Sequence, residues 1–315
     1  MYNLSMNVNV TEVLSQEEIE LVTRRDNLKG LWAILCQWLA LAAIFSFVAI
    51  WTNALSIFAG IVLLGGRQLG FGVLQHECGH KTMFTTPRIN QLVGDWLVAP
   101  PGFSNMNAYM RSHYPHHRLA GSHDDPDLPN YQDYPISRSR LKRKFLRDIT
   151  GRTGIRTIKF ISKNIRRLHL LDTENRNCAL RGIAMNLLMF GVLATFGEGW
   201  LYLMWPAAII FVQPLVSRVR QIAEHGAVPN LYHVDARKNT RTVYSNFLSR
   251  AMFCPHQVNY HLEHHLLPSV PKYNLAMMHR LLRDKGYYEG VYFPKGYVEL
   301  LMHVTSKDDG QLAAA

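Results

Sequence analysis

Four long apolar runs dominate the pattern of hydrophobic and polar positions along the chain. They cover positions 31–51, 54–75, 179–196 and 199–217. The first contains no charged residue, and the second contains only Arg67, beside the polar Gln68. A helix of about 20 apolar residues is long enough to cross the hydrocarbon core of a bilayer. The pattern therefore predicts four transmembrane helices in an all-α integral membrane protein, and four such runs argue against a buried soluble core.

The connections within each pair of runs are only two residues long, at 52–53 and 197–198, so the predicted helices form two hairpins. Neither connection carries Lys or Arg, whereas the segments 1–30, 76–178 and 218–315 carry nearly all of these residues. Basic residues accumulate on the cytosolic side of membrane proteins. Both termini and the long segment between the hairpins are therefore predicted to be cytosolic.

Two stretches between the hairpins add detail to this arrangement. Positions 91–104 are apolar but too short to span, which predicts an interfacial or re-entrant piece with Trp96 as an anchor. Positions 138–167 hold twelve Lys and Arg and a single acid, Asp148. Such a segment fits a basic face attracted to anionic headgroups, or a docking surface for an acidic electron-transfer protein. The predicted spans argue against nucleic-acid binding.

The composition narrows the class of protein further. The chain has 34 Lys and Arg against 23 Asp and Glu, a formal net charge of +11. Its four cysteines contain no CxxC pair, which excludes a disulfide scaffold or zinc ribbon and fits a reducing compartment. The polar, acidic first thirty residues do not predict a secretory signal. Histidine is the unusual component, because eight of the fifteen lie in three short clusters.

The spacing within the histidine clusters is suited to metal binding. The eight residues are His76, His80, His113, His116, His117, His261, His264 and His265. Residues four apart on a helix share one face, whereas the middle histidine of an HxxHH cluster is rotated toward a neighbouring site. Imidazole binds zinc, copper, nickel and iron alike. A single zinc takes about four ligands, so eight predict at least two metal ions. Two redox metals beside an apolar bundle indicate O₂ activation near a lipid-derived substrate.

The order of these clusters resembles the three histidine boxes of the membrane fatty acid desaturase superfamily. The boxes read HECGH at 76–80, HYPHH at 113–117 and HLEHH at 261–265. The resemblance covers about residues 31–295 and extends to DDPD at 124–127, Glu224-His225 and Asn259-Tyr260. Residues 147–154 resemble a stretch of the bacterial dihydrorhizobitoxine desaturase-like branch.

The resemblance implies a fold and a site. The fold is four transmembrane helices in two hairpins, with a cytosolic helical cap that holds a di-iron centre. The implied domains are a cytosolic N-terminal segment at 1–30, a desaturase domain at 31–295 and a C-terminal tail at 296–315. No catalytic residue is implied beyond the metal ligands. The implied iron ligands are His76, His80, His113, His116, His117, His225, His261, His264 and His265.

The resemblance also implies an activity, namely O₂-dependent introduction of a double bond into the acyl chain of a lipid. The chain has no HPGG haem motif and no cysteine cluster for an iron–sulfur centre. Electrons are therefore expected from a separate ferredoxin, rubredoxin or cytochrome, which could dock on 138–167. The short, unfused architecture favours a bacterial cytoplasmic membrane. A related di-iron hydroxylase or ketolase acting on a lipid or carotenoid stays open. An HExxH zinc metalloprotease is a remote alternative that leaves six box histidines unexplained.

Several other polar residues have expected roles. One hypothesis places Arg67 and Gln68 at the buried end of the substrate path, and snorkelling of Arg67 is the alternative. Gln221 occupies a position where some acyl-CoA desaturases have an Asn that contacts iron through water. Acids next to box histidines or His225 are expected to orient ligating imidazoles: Glu77, Glu224 and Glu263. The other histidines are assigned to outer contacts or the surface (His123 and His256) or to ordinary surface roles (His169, His233, His279 and His303).

Overall fold

The computed structural model describes residues 10–305, and all regular structure in that range is helical. The α-helices, numbered in chain order, are α1 (Val10–Val13), α2 (Gln16–Thr23), α3 (Asn27–Ile50), α4 (Ala54–His80), α5 (Pro87–Val93), α6 (Met106–Leu119), α7 (Arg138–Ile149), α8 (Arg152–Arg166), α9 (Thr173–Thr195), α10 (Met204–Phe211), α11 (Gln213–His225), α12 (Ala236–Asn239), α13 (Phe247–Met252), α14 (His261–Leu266), α15 (Lys272–Asp284) and α16 (Tyr297–His303). The predicted all-α class therefore holds for the described residues.

Three helices, α3, α4 and α9, are long and apolar enough to cross a membrane. Each extends beyond its apolar run at the end predicted to be cytosolic. Helix α3 begins at Asn27, α4 continues to His80, and α9 begins at Thr173. These polar extensions lengthen the spans on one side only. The extension of α4 therefore carries the first histidine box away from the apolar part of the same helix.

Side chains cap the starts of these helices. Asp26 accepts hydrogen bonds from the backbone of Leu28 and Lys29 at the start of α3. Asn53 caps α4 in the same way and fixes the tight turn between the two helices. Ser15 forms a capping box with Glu18 at the start of α2.

The fourth predicted span, 199–217, is not one straight helix. A 3₁₀ turn at Gly199–Leu203 leads into α10, and α10 and α11 meet at a bend of 43°. Pro214 explains the break, because proline has no N–H to donate and its ring clashes with the carbonyl four residues earlier. The pair counts as a fourth candidate span only if the two helices are taken together. Helix α11 continues to His225, beyond the predicted end.

The apolar stretch at 91–104 contains no helix long enough to span. Helix α5 is followed by a π-helical turn at Gly94–Val98 and a 3₁₀ turn at Pro100–Gly102. Trp96 is exposed, and the guanidinium of Arg181 lies 4.9 Å from its ring centroid. Arg181 also forms an ion pair of 3.1 Å with Asp95. These contacts attach the stretch to α9, and its interfacial location stays a prediction.

Both ends of the described chain pack into the folded structure. Leu14 and Val22 from the N-terminal segment are buried in one cluster with Leu262 and Met278, next to the third box. At the other end α16 buries Leu300 completely. Residues 297–305, predicted as the start of a tail, therefore form part of the folded structure, whereas 306–315 lie outside the described residues.

Arg67 is half-buried against a neighbouring segment. Its Nη2 donates to the carbonyl of Ala251 at 2.7 Å, and its Nη1 lies 3.4 Å from Oε1 of Gln37. The adjacent Gln68 donates to the carbonyl of Trp205 at 2.9 Å. Arg67 thus satisfies a carbonyl of α13, which lies against α4. These contacts do not reveal a substrate path, and that hypothesis stays a prediction.

A cleft of about 820 Å³ opens between α3 and α9. Its walls are almost entirely apolar and include Trp38, Phe45, Met189 and Leu201. None of its lining residues is a histidine. The volume would accommodate a hydrocarbon chain, but the cleft does not reach the clustered imidazoles, so it does not by itself identify the path of an acyl substrate.

Candidate metal centre

Four helices bring the predicted ligands together. The first box lies in the last turn of α4, the second in the C-terminal half of α6, and the third forms most of the short α14. His225 is the last residue of α11. The C-terminal ends of α4 and α11 therefore meet α6 and α14 at one place, although the chain separates His76 from His265 by almost 190 positions.

The nine imidazoles form two groups. In each group the possible ligand atoms all lie within 4.8 Å of one another. One group is His76, His80, His113, His117 and His264, and the other is His116, His225, His261 and His265. All nine predicted ligands are included. The groups are neighbours, because the rings of His117 and His265 have centroids 4.5 Å apart.

The two HxxHH boxes divide their histidines as the helical spacing predicts. In α6 the outer histidines, His113 and His117, join the first group, and His116 joins the second. In α14 the assignment is reversed: the outer pair joins the second group, and His264 joins the first. Each short helix therefore supplies both groups. This is the arrangement expected for two metal ions held side by side.

The distances between ring nitrogens test whether a metal fits. In the first group Nε2 of His113 lies 3.0 Å from Nε2 of His80 and 2.9 Å from Nε2 of His117, and Nε2 of His264 lies 3.0 Å from that of His117. Two nitrogens bound at right angles to one ion at about 2.1 Å lie about 3.0 Å apart. The convergence of Nε2 atoms therefore has the spacing that a shared ion requires.

Several of these nitrogens have no other partner. Nε2 of His76 and Nε2 of His265 are buried without a hydrogen bond to any described residue. A buried polar atom without a partner is costly. Burial also lowers the pKa of His117 to about 2 and holds the pKa values of His261 and His264 well below the usual range. These three imidazoles are thus neutral at physiological pH, the form that binds metal. The site fits a pair of metal ions.

Comparison with known proteins agrees with this geometry. The model of the fatty acid desaturase family matches residues 51–297. The chain belongs to the fatty acid desaturase family. Dihydrorhizobitoxine desaturase of Bradyrhizobium elkanii is 26% identical over 247 residues, which cover 72% of this chain and 68% of that protein. The resemblance inferred from the histidine boxes is confirmed, and the protein is an oxidoreductase of the desaturase type.

Within this desaturase, hydrogen bonds at Nδ1 leave the Nε2 atoms free for the metal. Nδ1 of His116 lies 2.8 Å from Oδ1 of Asp125, and Tyr131 donates its hydroxyl to the same carboxylate. Nδ1 of His225 lies 2.9 Å from the carbonyl of Asn239. Ligating histidines in metalloproteins are oriented by such contacts. Asp125 belongs to the DDPD stretch that the sequence analysis singled out.

Two of the three glutamates expected to orient imidazoles lie next to one. Oε1 of Glu77 is 3.2 Å from Nδ1 of His76. Oε1 of Glu224 is 3.5 Å from Nδ1 of His261 and also pairs with Arg220 at 2.6 Å. Both carboxylates are engaged by other donors as well and belong to neither metal-binding group, so their contacts orient the rings.

Glu263 has a different role from the expected one. It is fully buried and accepts hydrogen bonds from Nδ1 of His279 at 2.6 Å, from Oγ1 of Thr242 at 2.5 Å and from the hydroxyl of Tyr288. His279, expected at the surface, is buried on α15. The prediction for His279 is therefore wrong. Its position one residue after Met278, on the apolar face of α15, was the available signal.

We expect His279→Ala to loosen α14, because Glu263 would lose a buried donor at the centre of the third box. Bound metal should fall by about tenfold, in the range typical of partners that orient ligands. Metal affinity and the thermal unfolding midpoint of the purified protein would be measured. His279→Gln keeps an N–H donor and should retain more metal, and His169→Ala, at an exposed position, is the control. Equal metal affinity in His279→Ala and wild type would contradict this role.

The other histidines lie outside both groups. His256 bridges Oε1 of Gln37 at 3.0 Å and Nζ of Lys272 at 3.1 Å, and the backbone N–H of Lys272 donates to Glu77. The ring of His123 stacks on Tyr232. His256 thus belongs to a polar network beside the first box, as an outer-contact role predicts.

The surface assignment holds for the exposed His169 and His303. Nδ1 of the half-buried His233 accepts a hydrogen bond from the backbone of Asp235. Gln221 is half-buried one turn before His225 and is not a member of either histidine group.

Proposed function

We propose that the protein is an O₂-dependent, membrane-bound di-iron desaturase that introduces a double bond into the acyl chain of a lipid. The observation that carries the proposal is the pair of adjacent imidazole groups, five and four in number, at the ends of apolar helices. The desaturase family and the similarity to a desaturase support the reaction type. The nine histidines would hold two iron ions.

Iron is favoured by the number and kind of donors. Zinc in structural sites is satisfied by four ligands in a tetrahedron. The first group offers five neutral nitrogens and no thiolate, which suits a metal of higher coordination number. Bound iron would supply the redox chemistry with O₂ that cleavage of an unactivated C–H bond requires.

The protein's own residues would hold the metal ions, orient the ligating rings and shield them from water. Helices α6 and α14 fix the spacing of the imidazoles, and Asp125, Glu77 and the carbonyl of Asn239 hold the rings at Nδ1. Burial of most ligand rings excludes bulk water from their faces. An acyl chain held against this site would expose particular carbons to the metals, which is how position selectivity arises.

Electrons would come from a separate ferredoxin, rubredoxin or cytochrome. All four cysteines are free, and they do not cluster as an iron–sulfur centre requires. Docking of that carrier on 138–167 stays a prediction. The distribution of basic residues supports cytosolic termini, and a bacterial cytoplasmic membrane is part of the proposal.

The HExxH protease alternative is not favoured. Oε1 of Glu77 lies beside His76, and Oε2 accepts hydrogen bonds from Oγ1 of Thr82 at 2.9 Å and from the backbone of Lys272 at 3.0 Å. A general base needs a free oxygen next to a metal-bound water. Both oxygens of Glu77 are occupied, and the site holds far more imidazoles than one zinc needs.

Expression in a host with a simple fatty acid profile, followed by mass spectrometry of total lipids, tests the reaction. We expect a new lipid species that lacks two hydrogens, present with the wild type and absent with His264→Ala. A species that gains one oxygen would instead identify a hydroxylase. Two irons per purified chain are expected, and one zinc would identify the protease. No new lipid species in a host supplied with a ferredoxin and its reductase would contradict the proposal.

A further inference from the structure

Helix α8 presents a row of five cations on one face. They are Arg152, Arg156, Lys159, Lys163 and Arg166, all exposed. Successive spacings of four, three, four and three residues keep side chains on one side of an α-helix. The cations therefore form a continuous stripe along the whole helix, and the metal site uses none of them.

The opposite face of α8 packs on α10. A Cβ atom at Gly154 would collide with the backbone of Ile209 and Ile210, so the two helices touch without a side chain between them. Ile158, one turn later, packs against the core cluster of the candidate spans. The cationic stripe is consequently directed away from the helix bundle.

The chain places α8 at the level where the second hairpin enters the membrane. Only residues 167–172 separate the end of α8 from Thr173, the first residue of α9. Six residues span at most about 20 Å, and part of this link is a 3₁₀ turn at Leu168–Leu170. Because α8 also touches α10, it is attached to both candidate spans of the second hairpin.

The charge of this surface is of one sign. Asp148 is the only acid in 138–167, and it is fully buried in an ion pair with Arg218. Oγ1 of Thr153 donates a further hydrogen bond of 2.6 Å to it. On α7, Arg147 lies 3.6 Å from Asp148 and Arg140 pairs with Asp133 at 3.2 Å. No carboxylate within 138–167 pairs with the five exposed cations of α8.

Exposed apolar residues flank the stripe. Ile155 is 42% exposed and Phe160 63% exposed, on either side of the cations, and Leu170 follows at 68%. Helices that lie in a membrane interface combine such apolar side chains, which enter the acyl region, with Lys and Arg that reach phosphate groups. A surface that binds only a soluble acidic protein has no need of them.

We propose that the exposed face of α8 binds the phosphate groups of anionic lipids in the leaflet around the cytosolic end of the second hairpin. The proposal rests on the membrane topology in the proposed function, but not on the reaction that the site performs. The stripe would fix the depth of α8 and gather negatively charged lipids beside the mouth of the bundle.

The test uses the full-length protein in phosphatidylcholine bilayers with spin-labelled phosphatidylglycerol or spin-labelled phosphatidylcholine as the probe. Electron spin resonance gives the fraction of each probe held at the protein surface. We expect at least about a threefold preference for phosphatidylglycerol in low salt, because each cation near a membrane surface attracts anionic lipid. The preference should weaken in high salt.

Two triple variants that each remove three positive charges test whether the preference for phosphatidylglycerol depends on α8. Arg156→Gln with Lys159→Gln and Lys163→Gln should abolish most of the preference. Arg280→Gln with Arg283→Gln and Lys295→Gln, at exposed positions outside 138–167, should leave it intact. Equal losses in the two variants, or no preference in the wild type, would overturn the proposal. The probe measurement needs no turnover, so it stands apart from failure of the proposed reaction.

A second measurement distinguishes lipid binding by α8 from docking of a protein electron carrier on it. Turnover supported by an acidic ferredoxin would be measured for both triple variants in neutral detergent. We expect the KM for ferredoxin to be the same in the two. A higher KM in the α8 variant together with an unchanged lipid preference would assign the stripe to the electron carrier, and the lipid proposal would be wrong.

Discussion

His264→Ala should abolish turnover and leave at most about one iron per chain. His264 belongs to α14 but serves the group that is otherwise built from α4 and α6, and its Nε2 lies 3.0 Å from Nε2 of His117. Removing it takes away the only contribution of α14 to that group. We expect the metal affinity of the first group to fall by more than about 100-fold, beyond the loss seen when a partner that merely orients a ligand is removed.

Iron content, Mössbauer spectra and lipid products of the purified variant would be compared with those of the wild type. His303→Ala is the matched control, because His303 is exposed on α16 and belongs to neither group. Membrane insertion should be unchanged in both variants. Normal iron content and turnover in His264→Ala would exclude this residue as a ligand.

Asp125→Asn should weaken metal binding by about 10–100-fold. The carboxylate of Asp125 is buried, lies 2.8 Å from Nδ1 of His116 and accepts hydrogen bonds from Tyr131 and from the backbone of Asp127. Asparagine has the same shape but no charge, and its amide nitrogen cannot accept a hydrogen bond. The ring of His116 would lose the partner that fixes its tautomer, and Nε2 would become a poorer donor to the metal.

Competition with a chelator would measure the affinity of the two groups in this variant. Asp124→Asn is a close control, since Asp124 is the exposed neighbour of Asp125 in the same stretch. Tyr131→Phe should have a smaller effect in the same direction, because it removes one of the donors that hold the carboxylate. If Asp124→Asn and Asp125→Asn behave alike, the contact with His116 is not what tunes the site.

Features that depend on local helix geometry could be predicted from the spacing of residues along the chain. Helical spacing predicts that His116 points away from His113 and His117, and the structure places it in the other group. The same reasoning holds for α14. Apolar length predicts the first three candidate spans, and only their polar ends were missed, since backbone hydrogen bonding continues beyond the apolar run.

What depends on contacts between distant segments was not predictable in this way. Pro214 was visible, but an apolar run does not indicate how sharply a proline bends it. His279 lies fourteen positions after the third box in sequence, and its contact with Glu263 is made by the packing of α15 on α14. The hydrogen bond from Arg67 to the carbonyl of Ala251 likewise joins positions 184 residues apart. The spacing of residues along the chain does not predict contacts between such distant pairs.

The crossed assignment of α6 and α14 has a consequence for how the protein is assembled. Each helix holds nitrogens of both groups, so an ion bound in one group also orders the helices that carry three ligands of the other. The second ion then binds side chains that are already ordered, so its binding carries a smaller entropy cost. Binding of iron to the apoprotein should consequently be cooperative, so that few chains hold a single ion. A cell short of iron would then contain a mixture of fully loaded and metal-free enzyme.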